Sequence, residues 1–420
     1  MDTETLSDVD ERLDSFVGEV FSSLSRKDRV ATAGAYARGL MLTGERKSMQ
    51  PMAQRLGVDH QRLQQFVTSS PWKVEPVRMA LSRKACELIT PDAWVVDDTG
   101  FGKDGDSSPC VARQYCGTLG KVGNCQIAVS VHAASDDASC PLNWQLFVPQ
   151  SWDENCIDDA NAVGVVAARR KKSAIPDGER HRPKWEMAVE MIDELLAWGR
   201  PRPDVVVADA GYGEGAQFRA ALTDRDIAYM VAVKAATSVY PADAVPETPP
   251  RIGRGRPFTA RYRAPKSSCA DMVLAAGPDA AQEVAWRRGT KTAPGNPDAV
   301  MRSRFVALRA LPAGHRVPRA DDGTVEQVWL LAEWPTCAAQ PTDYWLSTMP
   351  ADTAIDELVR LAKLRWRIEH DYRELKVALG LDHFEGRSWL GWHHHATLVT
   401  AAHLFLTTLR LTDPKADGQG

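Results

Sequence analysis

The sequence predicts an α/β protein, and three observations lead to this fold class. Short apolar runs, which are typical of buried strands, alternate with longer stretches of helical periodicity. Hydrophobic residues make up 44% of the chain and charged residues 25%, which is the balance of an ordinary globular protein and excludes a mainly disordered or fibrous chain. A length of 420 residues is enough for roughly two to three domains with large cores.

The predicted elements follow a definite order. A helical region is expected at residues 1–90, and the first part of a core at residues 91–234. Within the core we predict three strands, a helix, a strand, a helix and a strand, at Ala93–Val96, Gln126–His132, Trp144–Val148, Lys184–Trp198, Asp204–Ala208, Ala216–Leu222 and Ala228–Val233. This is the order of a ribonuclease-H-like fold.

The next hundred residues do not continue this alternation of strands and helices. Residues 235–343 are rich in Pro, Gly and Arg and contain only short alternating runs, which predicts a β-rich insertion. The core is expected to resume at residues 344–411, with one long helix at Asp352–Leu379 and a second at His393–Leu411. Residues 412–420 are expected to form a flexible tail.

A helix-turn-helix pattern lies in the N-terminal helical region. Gly57 suits the tight turn between two helices, where φ is often positive. Leu63 and Phe66 then fall on the inner face of the second helix. The polar residues that point outward are Gln61, Arg62, Gln64 and Gln65. They could contact base edges or phosphates, so we predict DNA binding here; an ordinary helical hairpin is the alternative.

Charge is distributed unevenly along the chain. The net charge of −4 argues at first against a nucleic-acid partner, because DNA-binding domains are usually basic. However, the first 19 residues hold seven acids and one base, whereas residues 20–90 hold twelve bases and five acids. Further basic runs lie at Arg169–Lys172 and at residues 251–266. Each run alone could be a solvated surface, but several together favour DNA.

Neither a secreted nor a membrane protein is expected. Met1–Glu11 is acidic without an apolar segment, which predicts no signal peptide. Ser388–Leu409 is the longest uncharged stretch, but its four His residues make it too polar for a membrane span. The eight cysteines are scattered without a C-x-x-C pair, which favours neither a zinc site nor disulfides. We therefore expect a cytoplasmic protein.

Three carboxylates are the candidates for chemistry. Asp98 and Asp209 each follow a predicted core strand, and ligand sites of α/β sheets concentrate at such strand ends. Glu369 lies in the predicted long helix. Helical spacing places three cations on its face, namely Arg365, Arg373 and Lys376. Each acid alone could be a turn or surface residue.

Together these residues suit metal-dependent phosphoryl transfer. Carboxylate oxygens are the ligands that Mg²⁺ prefers. Two metal ions about 3.5–4 Å apart can activate an attacking oxygen and stabilise the leaving oxygen. The neighbouring Arg and Lys side chains would hold DNA phosphates.

An ordered set of motifs resembles one family. The motifs are Asp97–Phe101, Val111–Thr118, Asn124–Gln126, Trp286–Lys291, Arg302–Phe305, Tyr344–Ser347 and Leu381–Arg387, followed by Trp389 and His393–His395. Over about residues 20–410 the chain resembles the DDE-type transposases of bacterial insertion sequences, which have a ribonuclease-H-like core and a β-rich insertion before the catalytic Glu.

The resemblance implies that Asp98, Asp209 and Glu369 are catalytic and hold two Mg²⁺ ions, for which Mn²⁺ can substitute. Asp98 is preferred to its neighbour Asp97 because the first Asp of the family precedes a Thr, and Glu369 is preferred to Glu374. The family places Tyr, Arg, Glu and Lys at fixed spacings. Arg365, Glu369 and Lys376 match, whereas Ala362 stands at the Tyr position.

The resemblance also implies the partners and the reaction. Relatives stack a flipped base on an aromatic ring of the insertion, and Tyr344 or Trp345 could do so here unless they are core residues. The expected partners are double-stranded DNA of the element ends and target, bound by a homodimer associated with the nucleoid. The predicted function is cleavage of element ends and strand transfer. A repurposed DNA-binding protein and a metal-dependent nuclease without strand transfer are the alternatives.

Overall fold

The computed structural model describes residues 3–44, 46–248, 260–289, 292 and 296–413, with side chains from Asp8 onward. Several features singled out in the sequence lie outside the described residues. They are the basic residues Arg251, Arg254 and Arg256, the motif residues Thr290 and Lys291, and the tail residues 414–420.

Within the described residues, five helices precede the first strand, and both kinds of element follow it. The helices are α1 (Thr3–Val20), α2 (Lys27–Met41), α3 (Met49–Leu56), α4 (His60–Thr68), α5 (Val74–Ile89), α6 (Ala160–Lys172), α7 (Lys184–Ala197), α8 (Ala210–Gly213), α9 (Ala216–Thr223), α10 (Cys269–Ala276), α11 (Ile355–Lys363), α12 (Trp366–Arg373) and α13 (Trp389–Thr412). The strands are β1 (Ala93–Gly102), β2 (Ala112–Cys116), β3 (Lys121–Ala134), β4 (Ser139–Leu146), β5 (Val205–Ala208), β6 (Ala228–Val233), β7 (Ser238–Pro241), β8 (Pro246–Glu247), β9 (Arg261–Tyr262), β10 (Ser267–Ser268), β11 (Gln282–Arg288), β12 (Val300–Pro312), β13 (Val328–Glu333) and β14 (Asp343–Ser347).

The chain forms two compact units. The first comprises Met1–Asp92, Val96–Pro201 and Arg367–Gly420, and the second comprises Ala93–Val95 and Arg202–Trp366.

The first unit combines an antiparallel sheet with most of the long helices. Its strands run in the order β1-β3-β2, and β4 pairs with the other part of β3. From Cys125 to Ala134 every residue of β3 is buried, so both faces of this strand are covered. Helix α7 packs on β3, and α5 and α13 pack on β4. Helix α13 also contacts α2 and α4, and its three consecutive histidines, His393–His395, are buried.

The second unit is built on a mixed sheet. Strands β5 and β6 are parallel, with Val205 opposite Ala228, as expected when a helix connects two strands. Strand β14 joins β6 antiparallel, and the sheet continues through β13, β12, β7 and β10. Of the strands between β6 and α11, β7 and β10–β14 therefore extend the sheet of β5 and β6, whereas β8 and β9 pair with each other in a separate two-stranded sheet. The predicted fold class, an α/β ribonuclease-H-like core with a β-rich insertion and a helical N-terminal region, is confirmed.

The bounds of several predicted elements differ from the structure, and two of these differences affect the predicted site residues. Strand β1 does not end at Val96 but continues to Gly102, so Asp98 lies inside a strand. The predicted helix at Asp352–Leu379 is divided: α11 ends at Lys363, α12 covers Trp366–Arg373, and a π-helix covers Glu374–Ala378. The π-helix is closed by a hydrogen bond over five residues, in which the Leu379 amide donates to the Glu374 carbonyl at 3.1 Å.

Within the described residues, the helices are too short or too polar to cross a membrane.

Candidate active site

Asp98 lies on strand β1 of the first unit, where it is partly exposed. The preceding run Ala93–Val96 is fully buried, and the Asp97 side chain is buried as well. Because successive side chains of a strand point to opposite faces, Asp98 points away from Asp97, and 27% of its side chain is exposed. This placement is compatible with the preference for Asp98 over Asp97, which remains a prediction.

A lysine that the sequence reasoning missed contacts Asp98. Lys184 is the first residue of helix α7, and its ammonium donates to Asp98 Oδ2 at 2.9 Å. The lysine side chain is 31% exposed, and its ammonium also lies 5.7 Å from the centre of the Phe147 ring. No spacing relates Lys184 to Asp98 along the chain, so only the fold could bring them together.

Glu369 lies on the exposed side of helix α12, which also belongs to the first unit apart from its first residue. The opposite side of α12 is fixed to β3 and β4. Asp371 accepts a hydrogen bond from His132 Nδ1 at 3.0 Å and another from Ser139 Oγ at 2.8 Å. The Tyr372 hydroxyl lies 2.7 Å from Ser130 Oγ. These buried contacts set the direction in which α12 presents Glu369.

The hydrogen bonds that fix α12 to β3 determine which atom of each pair donates the proton. Because His132 Nδ1 donates to Asp371, Nε2 of a neutral ring accepts from Ser130 Oγ at 3.0 Å, which leaves the Tyr372 hydroxyl to donate to Ser130. Burial lowers the pKa of His132, in keeping with a neutral ring. Burial also raises the pKa of Tyr372 well above its usual value, and the charges of Asp97 and Asp98 add to this.

The three predicted phosphate-binding cations have different environments. Arg373 is exposed on α12, whereas Arg365 is half-buried in the break before α12. The expectation that Lys376 shares the face of Glu369 is wrong, because the π-helix turns Lys376 inward. Its ammonium donates to the Gly100 carbonyl at 2.7 Å and to Thr118 Oγ1 at 2.9 Å. Burial accordingly lowers the pKa of Lys376.

Asp209 belongs to the second unit. It directly follows β5, as the sequence predicted, and it caps the short helix α8. Its Oδ1 accepts hydrogen bonds from the amides of Gly211 at 2.9 Å and Tyr212 at 3.3 Å. Gly213 completes this turn, and a Cβ there would lie only 2.0 Å from the Ala232 carbonyl oxygen. The local sequence therefore fixes Asp209 at the end of β5.

The aromatic residues proposed for base stacking are core residues in this structure. Tyr344 and Trp345 lie on β14 and are 4% and 7% exposed, so the structure favours a core role for both. Trp286 of β11 is half-buried instead and lies near Lys363, whose ammonium is 5.5 Å from its ring centre. Lys363 also forms an ion pair with Glu333.

The predicted helix-turn-helix consists of α3 and α4 of the first unit. Gly57 ends α3 with φ 65°, and Asp59 caps α4 by accepting from the Gln61 amide at 2.9 Å. Gln61 and Gln64 are exposed on α4, as predicted. Arg62 is partly engaged elsewhere, because its guanidinium donates to Thr32 Oγ1 and to the Asp28 carbonyl.

A polar concavity of about 510 Å³ lies beside α4. Its lining includes three cations, two carboxylates and several neutral polar side chains, namely Arg26, Arg29, Arg62, Asp28, Asp59, Gln61, Gln65 and Ser69. The basic run at the end of α6 is a different case. Arg170 is buried and donates to the Trp152 carbonyl at 2.9 Å, and the Arg169 guanidinium stacks on the Trp152 ring at 3.8 Å. Half of that run therefore stabilises the fold.

The capacity of the carboxylates to bind a metal depends on their donor atoms and their arrangement. In the parts of the chain that the structure describes, no group of three or more His, Cys, Asp or Glu side chains is arranged to hold a metal ion. The types of donor nevertheless fit a hard divalent cation, since Asp98, Asp209 and Glu369 offer only carboxylate oxygens. Asp98 already contacts one cation, the Lys184 ammonium.

Comparison with known proteins identifies the class. A family model described as DDE superfamily endonuclease matches residues 19–293, and one described as transposase DDE domain matches residues 185–405. Each match covers more than half of the chain, so the protein belongs to the DDE superfamily of transposase-type endonucleases. The resemblance found in the sequence is thereby confirmed.

One curated relative is a probable transposase for insertion sequence element IS701 from Microchaete diplosiphon. The two sequences are 28% identical over 194 residues, which are 45% of this chain and 45% of the relative. The matched region thus spans less than half of the length of that protein.

Proposed function

We propose that this protein is a DNA transposase that cuts the ends of an insertion sequence and joins them to target DNA. The proposal rests on one combined observation: the chain matches the DDE family models, and two of the three predicted carboxylates, Asp98 and Glu369, are accessible to solvent. Glu369 is exposed on α12, whose other side is buried, and Asp98 is a partly exposed carboxylate, at 27% of its side chain, on the otherwise largely buried strand β1. Both residues lie in the first unit.

The proposed reaction consists of two substitutions at phosphorus. Water attacks the phosphate at an element end; one P–O bond forms, the bond to the 3′ oxygen breaks, and a 3′-OH is released. That 3′-OH then attacks a target phosphate and displaces a 3′ oxygen of the target. Two divalent metal ions, Mg²⁺ or Mn²⁺, would supply Lewis acidity for both the attacking and the leaving oxygen.

The residues of the chain have distinct parts in this proposal. Asp98, Asp209 and Glu369 would hold the metal ions through their carboxylate oxygens. Arg373 follows Glu369 by one helical turn on α12 and is exposed, which suits a phosphate contact. Duplex DNA is the proposed partner, and a second copy of the chain would bring two element ends together.

The test is cleavage and joining of duplexes that carry the DNA flanking the gene, with Mg²⁺ present. Asp98→Asn and Glu369→Gln should each reduce both steps by about a hundred- to a thousandfold, because a neutral amide is a poor replacement for a ligating carboxylate. Asp226→Asn is the matched control, since Asp226 is 91% exposed in its side chain and should leave the rate unchanged.

The outcomes separate the alternatives. Binding without cleavage by the wild-type protein would support a repurposed DNA-binding protein, for which Ala362 at the Tyr position of the family is the specific observation. Cleavage without joining would support a nuclease. Unchanged cleavage by either variant would contradict the assigned carboxylates.

A further inference from the structure

We infer that Lys184 is a built-in counter-ion of Asp98 that a divalent metal displaces, after which the freed ammonium binds a DNA phosphate. This inference rests on the proposed function, because it takes Asp98 to be a metal ligand. It assigns a role to a residue that neither the motifs nor the resemblance singled out.

The first argument is the geometry of the ion pair. The 2.9 Å contact joins the ammonium to one oxygen of the carboxylate that is proposed to hold metal. Both side chains are between one quarter and one third exposed, so water and ions can reach them. A metal ion ligated by Asp98 would bring two positive charges beside the ammonium, and like charges at such short range repel strongly.

The second argument is the position of Lys184 on its helix. It is the first residue of α7 and follows Pro183, the N-cap residue. The amino end of a helix carries a partial positive charge, which favours acidic residues and disfavours lysine. Glu186 in the same turn follows that preference and Lys184 does not. The local sequence therefore gives no stabilising reason for a lysine here, whereas contact with Asp98 does.

The third argument is the chemistry of the side chain. Lysine carries a compact charge on a flexible stem of four carbons, so the ammonium can exchange one anionic partner for another. A DNA phosphate placed for attack would lie close to the metal ligands and would offer such a partner. The Lys184 ammonium would thus bind the Asp98 carboxylate before the metal binds and the DNA phosphate afterwards.

Binding of Mn²⁺ alone, measured by calorimetry, is the first test. Lys184→Gln should tighten Mn²⁺ binding by about two- to fivefold, the range expected when a partly exposed ion pair no longer competes. Lys234→Gln is the matched control, because it removes a Lys–Glu ion pair of similar length, 2.7 Å, from the second unit. It should leave Mn²⁺ binding unchanged.

Binding of an element-end duplex is the second test. With EDTA, Lys184→Gln should have the same DNA affinity as the wild type, because the lysine is held by Asp98. With Ca²⁺ as the divalent ion, which carboxylate oxygens also bind, the variant should bind about three- to tenfold more weakly. Lys184→Arg should keep part of this Ca²⁺-dependent affinity, since it retains the charge.

Each outcome has a definite meaning. Unchanged or weaker Mn²⁺ binding by Lys184→Gln, in a protein that still melts as the wild type does, would overturn the inference and leave the proposed function intact. An equal loss of DNA affinity in EDTA and Ca²⁺ would also overturn it, since the lysine would then be a constant phosphate contact. A wild-type protein that neither binds Mn²⁺ nor cleaves would overturn both. If Lys184→Gln does not fold, Lys184→Ala gives the same comparison.

Discussion

Substitution by alanine should have opposite effects on the stability of the protein at two glycines, Gly213 and Gly164. A Cβ at Gly213 would lie 2.0 Å from the Ala232 carbonyl oxygen and 2.9 Å from Val231 Cβ, so alanine forces a backbone shift. Gly164 is exposed in α6 with no heavy atom within 4 Å of such a Cβ. Gly213→Ala should destabilise the protein by about 1–3 kcal/mol.

Gly164→Ala should stabilise it by about 1 kcal/mol, because alanine is the better helix former. Thermal unfolding of the two variants should therefore move the melting temperature in opposite directions. A rise for Gly213→Ala would contradict the close packing that holds Asp209.

His395 should make the stability of the first unit depend on pH. The Tyr36 hydroxyl lies 2.9 Å from Nδ1 of His395, and the Gly380 carbonyl lies 3.0 Å from Nε2. A neutral ring satisfies both partners, because Nδ1 accepts from the hydroxyl and Nε2 donates to the carbonyl. Burial lowers the pKa of His395 from 6.5 to about 4. The unfolded chain thus takes up a proton at higher pH than the folded chain, and stability is lost as the pH falls from 6.5 towards 4.

The loss attributable to His395 is roughly 3 kcal/mol over this range. Denaturant unfolding at pH 7.5, 6 and 5 measures it. His395→Gln cannot take up the proton, so its stability should fall less steeply with acid than that of the wild type. His60→Gln, at a half-exposed histidine side chain, should keep the wild-type slope. Parallel curves for all three proteins would refute the role of His395.

Helix α12 shows how far an element can be predicted. Helical character around Glu369 followed from the sequence and is confirmed, but the break before Trp366 and the π-helix after Arg373 were not predicted. Short-range periodicity cannot register them, because their contacts come from distant parts of the chain. Glu374, for example, is held by the guanidinium of Arg410. The same limitation explains why Lys376 was placed on the wrong face.

The anchor of α12 can be weakened without touching its exposed side. Tyr372→Phe removes the hydroxyl that lies 2.7 Å from Ser130 Oγ but keeps the buried ring. Loss of one buried hydrogen bond should cost about 1 kcal/mol, and amide hydrogen exchange in α12 should become faster.

Tyr115→Phe is the matched control, because Tyr115 is 64% exposed on β2. It should change neither the stability nor the exchange rates of α12. Unaltered exchange in α12 of the Tyr372→Phe variant would mean that this contact does not hold the helix.

At the scale of the whole molecule, the net charge of −4 is the sum of acidic and basic regions, as the sequence indicated. The acidic helix α1 is occupied with basic neighbours: Asp10 and Asp14 contact Arg38, and Glu19 contacts Lys84. The distribution of charge was thus predictable, whereas the partners of these acids were not, because each of these ion pairs joins residues at least 24 positions apart in the chain. Net charge therefore says little about which surface meets DNA.

Substitutions in the concavity beside α4 can test whether this surface binds DNA. Arg29 lines it, and a cation that contacts phosphate releases counter-ions when DNA binds. Arg29→Gln should weaken binding of specific and unrelated duplexes equally and should reduce the slope of log K against log salt by about one. Gln61→Ala should instead weaken binding of the element end more than binding of unrelated DNA, because an amide on α4 can read a base edge.

Fluorescence anisotropy at 50 to 200 mM salt can measure both effects. Arg316→Gln removes the same charge from an exposed arginine of the second unit that donates to Gln217, and it should leave the slope unchanged. If Arg29→Gln and Arg316→Gln alter the slope equally, the effect is one of net charge and the concavity is not the DNA surface. If only Arg29→Gln alters it, a protein of net negative charge binds DNA through a local arrangement of cations.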